Sequence, residues 1–231
     1  MIKHLACIMD GNRRWAKARF LPPSLGHKEG INAVERTVDF CLKNGIPHLS
    51  LYAFSIENLN KRSLEEREYV FGLFISYFKR RNIETLNKKN VRVKFIGDRP
   101  LFPASIKNMC TEVEEKTMHG TALTIHFLFC YGGQQEIVAM VKQIAYKVKE
   151  GSIDPSAITP ETIRQFLWLS DTPDPELIIR TGKAQRLSSF LPYQAAYSEL
   201  FFTDTLWPDI TETHLTEALH YFSTCRRNFG S

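Results

Sequence analysis

Four short stretches carry the residues whose types and spacing could do chemistry. Asp10-Gly11-Asn12-Arg13-Arg14-Trp15 follows a short apolar run. Gly11 allows a tight turn and close backbone approach to a ligand, and the amides after it, with Arg14, could cradle a phosphate. Asp10 could hold a hard cation such as Mg²⁺, which keeps several waters and takes other ligands from phosphate oxygens. An Asx turn with solvated arginines is the plainer alternative. Arg180-Thr181-Gly182 and Gln185-Arg186-Leu187-Ser188 place two arginines, a glycine and a hydroxyl within nine residues. Guanidinium forks pair bidentately with phosphate oxygens, so this set suits a diphosphate. A surface salt-bridge cluster is the alternative, weakened because Arg180 ends an apolar run where an unpaired charge would be costly.

Phe54-Ser55-Ile56-Glu57-Asn58 offers a hydroxyl, a carboxylate and an amide, although alone it reads as a helix-capping loop. His27 follows Gly26 at the opening of a helix, where the dipole favours an anion. A lone histidine is nevertheless more often structural. Glu199 and Asp209 bracket the last strand and the Trp207–Pro208 turn, as metal ligands, partner-subunit contacts or plain caps. The chain has no G-x-x-x-x-G-K-[ST] loop, no G-x-G-x-x-G, no G-x-S-x-G and no Asp-Asp-x-x-Asp, so neither a P-loop nor a dinucleotide site is indicated.

Strands alternating with helices must position these stretches. The pattern predicts strands at His4–Met9, His48–Phe54, Val91–Ile96, Leu123–Cys130, Leu177–Arg180 and Glu199–Phe202. Helices are expected over Gly30–Lys43, from Ser63 to about Lys89 as one long element, and over Pro103–His119, Gln134–Lys149 and Thr211–Arg226. A short helix should follow Thr159–Pro160, with Thr as N-cap. The predicted fold class is α/β: a central six-stranded, mainly parallel sheet flanked by helices, as a single domain over 1–231. In such sheets ligands bind beyond the C-terminal strand ends, where the notable loops fall.

Composition narrows the partners. The 231 residues are 43% hydrophobic and 24% charged, which excludes wholesale disorder. Five scattered cysteines argue against a disulfide scaffold or structural zinc and suit a reducing cytosol. No secretory signal or membrane-length apolar run is visible. Net charge is +5, concentrated in residues 1–30 and 79–94, so an anionic partner is expected: nucleic acid, an anionic membrane face or a phosphate-bearing molecule.

Together the segments CIMDGNRRWAK, GHKEG, LSLYAFSIENLN, VRVKFIGD, CYGGQQEIV and LIIRTGKAQRLSSFLPYQAAYSELFFTDTLWPD, in this order over nearly the whole chain, resemble the cis-prenyltransferase family, and within it the bacterial undecaprenyl diphosphate synthases. The resemblance implies an Mg²⁺-dependent transferase. It would condense isopentenyl diphosphate repeatedly onto an allylic diphosphate primer such as farnesyl diphosphate. The product would be a long polyprenyl diphosphate such as undecaprenyl diphosphate, the lipid carrier for cell-wall glycan synthesis. It implies that Asp10 holds Mg²⁺, that the loop residues Gly11, Asn12, Arg13 and Arg14, with His27, bind the allylic diphosphate, with Trp15 also in the substrate site and Asn12 near the reacting carbons, and that Arg180, Arg186 and Ser188 bind isopentenyl diphosphate. Ser55, Asn58 and Lys61 would complete the substrate site, with Asp10 and Asn58 catalytic and Glu199 a second metal ligand, reached with the chain end of a second subunit. It further implies a homodimer whose arginine–glycine tail reaches the neighbouring site. An apolar product channel would be walled by Val70, Phe71, Phe74 and Phe78 against Leu123 and Ile125.

Departures from the family pattern are Pro23 in place of an arginine, with Arg19 the nearest substitute, and Leu59, Lys61, Lys183, Ala184 and Gln185. A non-catalytic partner subunit would be expected to lack the Asp10 or arginine set, which this chain keeps. Nucleic acid is not an expected partner: the Lys79–Lys94 cluster reads as a solvated face at a helix end, or as a contact with the inner membrane surface. The expected location is cytoplasmic, peripheral to the cytoplasmic membrane.

Overall fold

Runs of buried aliphatic and aromatic residues too short for helices become strands stacked in one layer. The computed structural model describes residues 2–78 and 80–226. Its strands are β1 (His4–Ile8), β2 (His48–Ser55), β3 (Val91–Ile96), β4 (Leu123–Tyr131), β5 (Leu177–Arg180) and β6 (Glu199–Phe202). They form one sheet in the order β3-β4-β2-β1-β5-β6, and every neighbouring pair is parallel. β1 and β5 are buried along their whole length, as expected of a parallel sheet covered on both faces.

Around it pack α1 (Asn12–Ala18), α2 (Pro23–Lys43), α3 (Ile56–Lys61), α4 (Leu64–Tyr77), α5 (Arg80–Lys88), α6 (Ala104–Thr117), α7 (Gly133–Lys149), α8 (Pro160–Gln165) and α9 (Glu212–Thr224). One face carries a core rich in phenylalanine. Phe54 and Phe129 stack at 5.5 Å between ring centres, and Phe78 meets Phe95 edge-on at 5.4 Å. The other face packs Ala6, Ile8, Leu128, Tyr131, Ile178 and Phe190. Thr159 caps α8 with Pro160 at its first turn, as expected, and Thr162 completes a capping box.

Three expectations change. The long helix from Ser63 is two helices: the Asn82 side-chain amide donates to the Tyr77 carbonyl, taking up an acceptor at the end of α4. The Asp10–Trp15 and Ser55–Arg62 loops are mostly the short helices α1 and α3, which have too few residues to display a periodicity. Helix α2 begins at Pro23, seven residues before the predicted start, because Pro22-Pro23 initiates it with proline at the first helical position.

Strand order decides where a ligand can sit. From β1 the chain continues to β2 on one side, whereas β5 lies on its other side. The crevice beyond the ends of β1, β2 and β5 is therefore a topological switch point.

Candidate active site

The ends of β1 and β5 are adjacent, with Ile8 in register with Arg180, so the residues that follow β1 lie beside Arg180. Asp10 Oδ2 accepts from Arg180 Nη2 at 3.0 Å, and its Oδ1 accepts from Arg14 Nη2 at 2.9 Å. Two glycines make this convergence possible. Gly11 has φ 120°, and a Cβ there would lie 2.9 Å from Leu206. A Cβ on Gly182 would lie 2.4 Å from the Arg14 guanidinium, which donates to the Gly182 carbonyl at 2.7 Å.

The Arg180 side chain is 5% exposed. Its Nη1 donates to Ser188 Oγ at 2.8 Å and to the Arg186 carbonyl, but its Nε is buried without a partner. A buried guanidinium with an open donor is costly unless an anion completes it. The Ser188 turn is itself strained: Ser188, Ser189 and Leu191 all have positive φ, at 51°, 64° and 46°. It is held by the Gly133 amide, which donates to the Ser189 carbonyl at 2.8 Å. Below it the buried Glu136 accepts from Tyr131 at 2.5 Å and from Gln194.

These groups open onto a polar cleft of about 630 Å³. Asp10, Ser55, Asn58, Lys61, Arg180, Arg186 and Ser188 line it together, half of the expected site residues; Gly11, Asn12, Arg13, Arg14, Trp15, His27 and Glu199 are not among its lining. Ser55 caps α3, its Oγ accepting from the Asn58 amide at 3.1 Å, so the capping and site readings of that stretch both hold. Among the polar lining residues, sequence reasoning missed Tyr52, Arg62, Gln134 and Ser189. Their signal was position, since Tyr52 is near the C-terminal end of β2 and Gln134 is just past that of β4. Burial pushes the Tyr52 phenol up, so it stays a neutral donor. The Arg62 side chain is largely buried, and burial lowers its pKa.

A second, apolar cavity of about 70 Å³ adjoins at Met9, which lines both. Ile31, Val34, Ala53, Val70, Phe74 and Phe127 form its walls. The expected channel wall is corrected here. Val70 and Phe74 face the cavity, whereas Phe71 and Phe78 pack into the core against Phe54 and Phe95. Leu123 and Ile125 are fully buried, and Phe127 takes the place given to them. Asn12 and His27 line this cavity, each with a buried atom, Oδ1 and Nε2, that has no partner.

Other placements differ from expectation. His27 lies in the second turn of α2, away from the free amides, and burial with the nearby Arg62 and Arg13 lowers its pKa to about 4. It is therefore a neutral hydrogen-bonding group and not a cation. Trp15 points away from the cleft and donates to Asp209 at 2.6 Å. Arg19 stacks on Trp15 and pairs with Asp209 at 3.2 Å, so it does not stand in for the arginine replaced by Pro23. Arg13 turns to Glu66 on α4, 3.7 Å away.

Glu199 is in register with Leu177 and Leu5, at the opposite end of the sheet from Asp10. Asp10 lies two residues beyond the end of β1, whose last residue Ile8 is three positions past the Leu5 level of Glu199, so at least roughly 10 Å along the strands and roughly 10 Å across two of them separate the two carboxylates. They cannot share an ion within one chain. Among the described residues no three acidic, histidine or cysteine side chains gather as a metal cage. A single carboxylate fits Mg²⁺ all the same, because that ion is commonly held by one or two carboxylates plus substrate phosphates. The open Arg180 donor beside Asp10 marks a place for such a phosphate.

The arrangement resembles known proteins. The Prenyltransf family model, described as an undecaprenyl diphosphate synthase, matches residues 8–230. A ditrans,polycis-undecaprenyl-diphosphate synthase ((2E,6E)-farnesyl-diphosphate specific) of Xylella fastidiosa is 40% identical over 99% of this chain and 89% of its own. Lavandulyl diphosphate synthase of Lavandula x intermedia, solved with dimethylallyl diphosphate, superposes with a TM-score of 0.96 at 30% identity, over 100% of this chain and 98% of that one. A probable undecaprenyl diphosphate synthase of Campylobacter jejuni superposes with a TM-score of 0.81 at 33% identity, over 100% and 99%.

Proposed function

The chain belongs to the undecaprenyl diphosphate synthase family, and from that premise we propose that it is a cis-prenyltransferase that extends an allylic diphosphate primer such as farnesyl diphosphate with successive isopentenyl units. The product is a long polyprenyl diphosphate of the undecaprenyl kind. The observation that carries the reading is the pairing of Asp10 with Arg14 on one side and with the buried Arg180 on the other, at the mouth of an apolar cavity.

In this reading Arg180, Arg186 and Ser188 hold the diphosphate of isopentenyl diphosphate. The Gly11–Arg14 turn holds the allylic diphosphate, and its hydrocarbon enters past Met9, Asn12 and His27. Two diphosphates together carry roughly −4 to −6, by extension from about −1.5 to −2 for one phosphate, so several guanidiniums are needed to hold both close. Asp10 would hold Mg²⁺, which when bound supplies Lewis-acid stabilisation of the leaving diphosphate. The allylic C–O bond breaks, the isopentenyl double bond attacks the allylic carbon, and a proton leaves to form the new double bond. Fixing the two substrates in line supplies much of the rate. Ser55 and Asn58 flank the reacting carbons, and Lys61 with Arg62 closes the cleft. At about 70 Å³ the cavity is too small for a long polyprenyl chain, so chain growth requires α4 to draw back from α2.

The single catalytic domain spans the chain. A homodimer is supported by the exposed Val138 and Val141 on α7 and by the half-exposed edge strand β6. Glu199 on that edge would then serve the partner's site. The tail residues Arg227–Gly230 lie outside the described residues. Among the described residues no helix is long and apolar enough to cross a membrane.

The test is incorporation of labelled isopentenyl diphosphate with farnesyl diphosphate as primer, with Mg²⁺ or with EDTA. Butanol-extractable polyprenyl product should form only with Mg²⁺. No incorporation with farnesyl, geranyl or dimethylallyl primers, from folded protein, would overturn the reading.

A further inference from the structure

Helix α1 ends in a Schellman turn. The Leu21 amide donates to the Ala16 carbonyl at 2.9 Å, and the Phe20 amide to that of Lys17 at 3.1 Å. The left-handed position of this turn normally belongs to glycine, but here it is Phe20, at φ 56°. Packing does not explain the ring, which is 98% exposed. Leu21 and Leu25 beside it are also exposed, with Pro22 and Pro23 between them. Phe20, Leu21 and Pro23 line an apolar hollow with Arg13, Arg14 and Lys17.

The surrounding charge has one sign. Residues 11–28 contain Arg13, Arg14, Lys17, Arg19 and Lys28 and no acid. Arg13, Arg14 and Arg19 are paired with Glu66, Asp10 and Asp209, whereas Lys17 and Lys28 are exposed and form no ion pair among the described residues. In the other basic cluster Lys89 pairs with Asp39 and Lys94 with Asp171, Lys79 lies outside the described residues, and no large apolar side chain of residues 82–94 is exposed to enter lipid. An exposed aromatic and two leucines ringed by lysines is the composition of an interfacial membrane contact.

We propose that the Phe20–Leu25 segment is a membrane-contact loop, seating Phe20, Leu21 and Leu25 in the surface of an anionic bilayer with Lys17 and Lys28 at its phosphates. The proposal names the membrane partner of an enzyme already read as making a lipid product, but its test involves no turnover. Helix α1 both ends in this loop and supplies Arg14, which lines the hollow and donates to Asp10, so seating the loop brings the site to the lipid surface.

The experiment is co-sedimentation of the full chain with vesicles of phosphatidylcholine alone or with about one third phosphatidylglycerol, at low and high salt. Wild type should bind the anionic vesicles, and less so at high salt. Phe20→Gly suits the left-handed position, so its melting temperature should be unchanged or higher, while its binding should fall by about tenfold or more. Lys17→Glu should weaken binding to the anionic vesicles severalfold. Equal binding by Phe20→Gly and wild type would overturn the proposal, as would wild-type protein that binds neither vesicle. A Phe20→Gly change in oligomeric state would also overturn it, assigning the loop to a second copy of the chain.

Discussion

Asp10→Asn should lower isopentenyl incorporation by about 10²–10³-fold or more while leaving the protein folded, by analogy with loss of one preorganised charge-stabilising group. Asp10 is the carboxylate on which Arg14 and Arg180 converge, at 2.9 and 3.0 Å. Asparagine keeps a similar shape and one accepting oxygen but removes the charge and the hard ligand that a divalent cation needs. The loss should therefore appear mainly in kcat and in the Mg²⁺ concentration for half-maximal rate. It should appear much less in the KM for isopentenyl diphosphate, whose binding is assigned to Arg180, Arg186 and Ser188. Asp10→Ala should be worse, because two guanidiniums would then face each other with no carboxylate between them. Activity of Asp10→Asn within tenfold of wild type would remove Asp10 from the centre of the mechanism. The readout is steady-state incorporation across a Mg²⁺ titration, with melting temperature as the control for folding.

The second large effect is acid lability, and it arises at the other end of the sheet. His4, His48 and His126 stand on adjacent strands with ring centres 5.8–5.9 Å apart. His4 Nδ1 donates to the Pro173 carbonyl at 2.6 Å, its Nε2 in that neutral tautomer accepts from Ser50 Oγ at 2.8 Å, and the whole residue is buried. Burial lowers its pKa to about 4, and burial also lowers those of His126 and His48. Lys94 and Arg92 add to the effect at His126, and Asp171 opposes it at His48. The folded pKa lies below the unfolded value, so the unfolded chain binds more protons as pH falls. Stability is complete above about pH 6.5 and is lost as the pH drops toward 4. For His4 alone the loss is about 2 kcal/mol between pH 7.5 and 5, a fall in Tm of roughly 4–8 °C, and His126 acts in the same direction. Calorimetric Tm from pH 7.5 to 5 should fall steeply in wild type and less in His126→Gln. Parallel slopes would mean that the cluster does not govern the acid limb.

The sheet could be read from the sequence because its strands are bounded apolar runs, and β3, β5 and β6 have the expected limits. The Asp10 and Arg180 stretches could be read because glycine, carboxylate and arginine meet at strand ends. Their contact across 170 residues of sequence could not, since it depends on β5 pairing with β1. Trp15 was misplaced because periodicity cannot orient a seven-residue helix, whose rotation is set by tertiary contacts such as Trp15 with Asp209. His27 and Glu199 had plausible chemistry in their residue types, and only burial and register revealed a neutral imidazole and a carboxylate at the far strand end. Strain was not visible either: Phe20 and Ser188 are ordinary letters until their positive φ is known.

The central claim is that one cleft holds two diphosphates at once, divided by Asp10. It is tested most directly by titrating isopentenyl diphosphate calorimetrically into protein saturated with Mg²⁺ and an unreactive farnesyl thiolodiphosphate. One isopentenyl diphosphate should bind per chain with the farnesyl analogue still in place. Arg180→Lys should weaken that binding by about 10–100-fold, because a lysine cannot reproduce the fork to Ser188, Asp10 and a phosphate, while changing the affinity for the analogue far less. Competition of the two ligands for a single site, or equal weakening of both by Arg180→Lys, would contradict it.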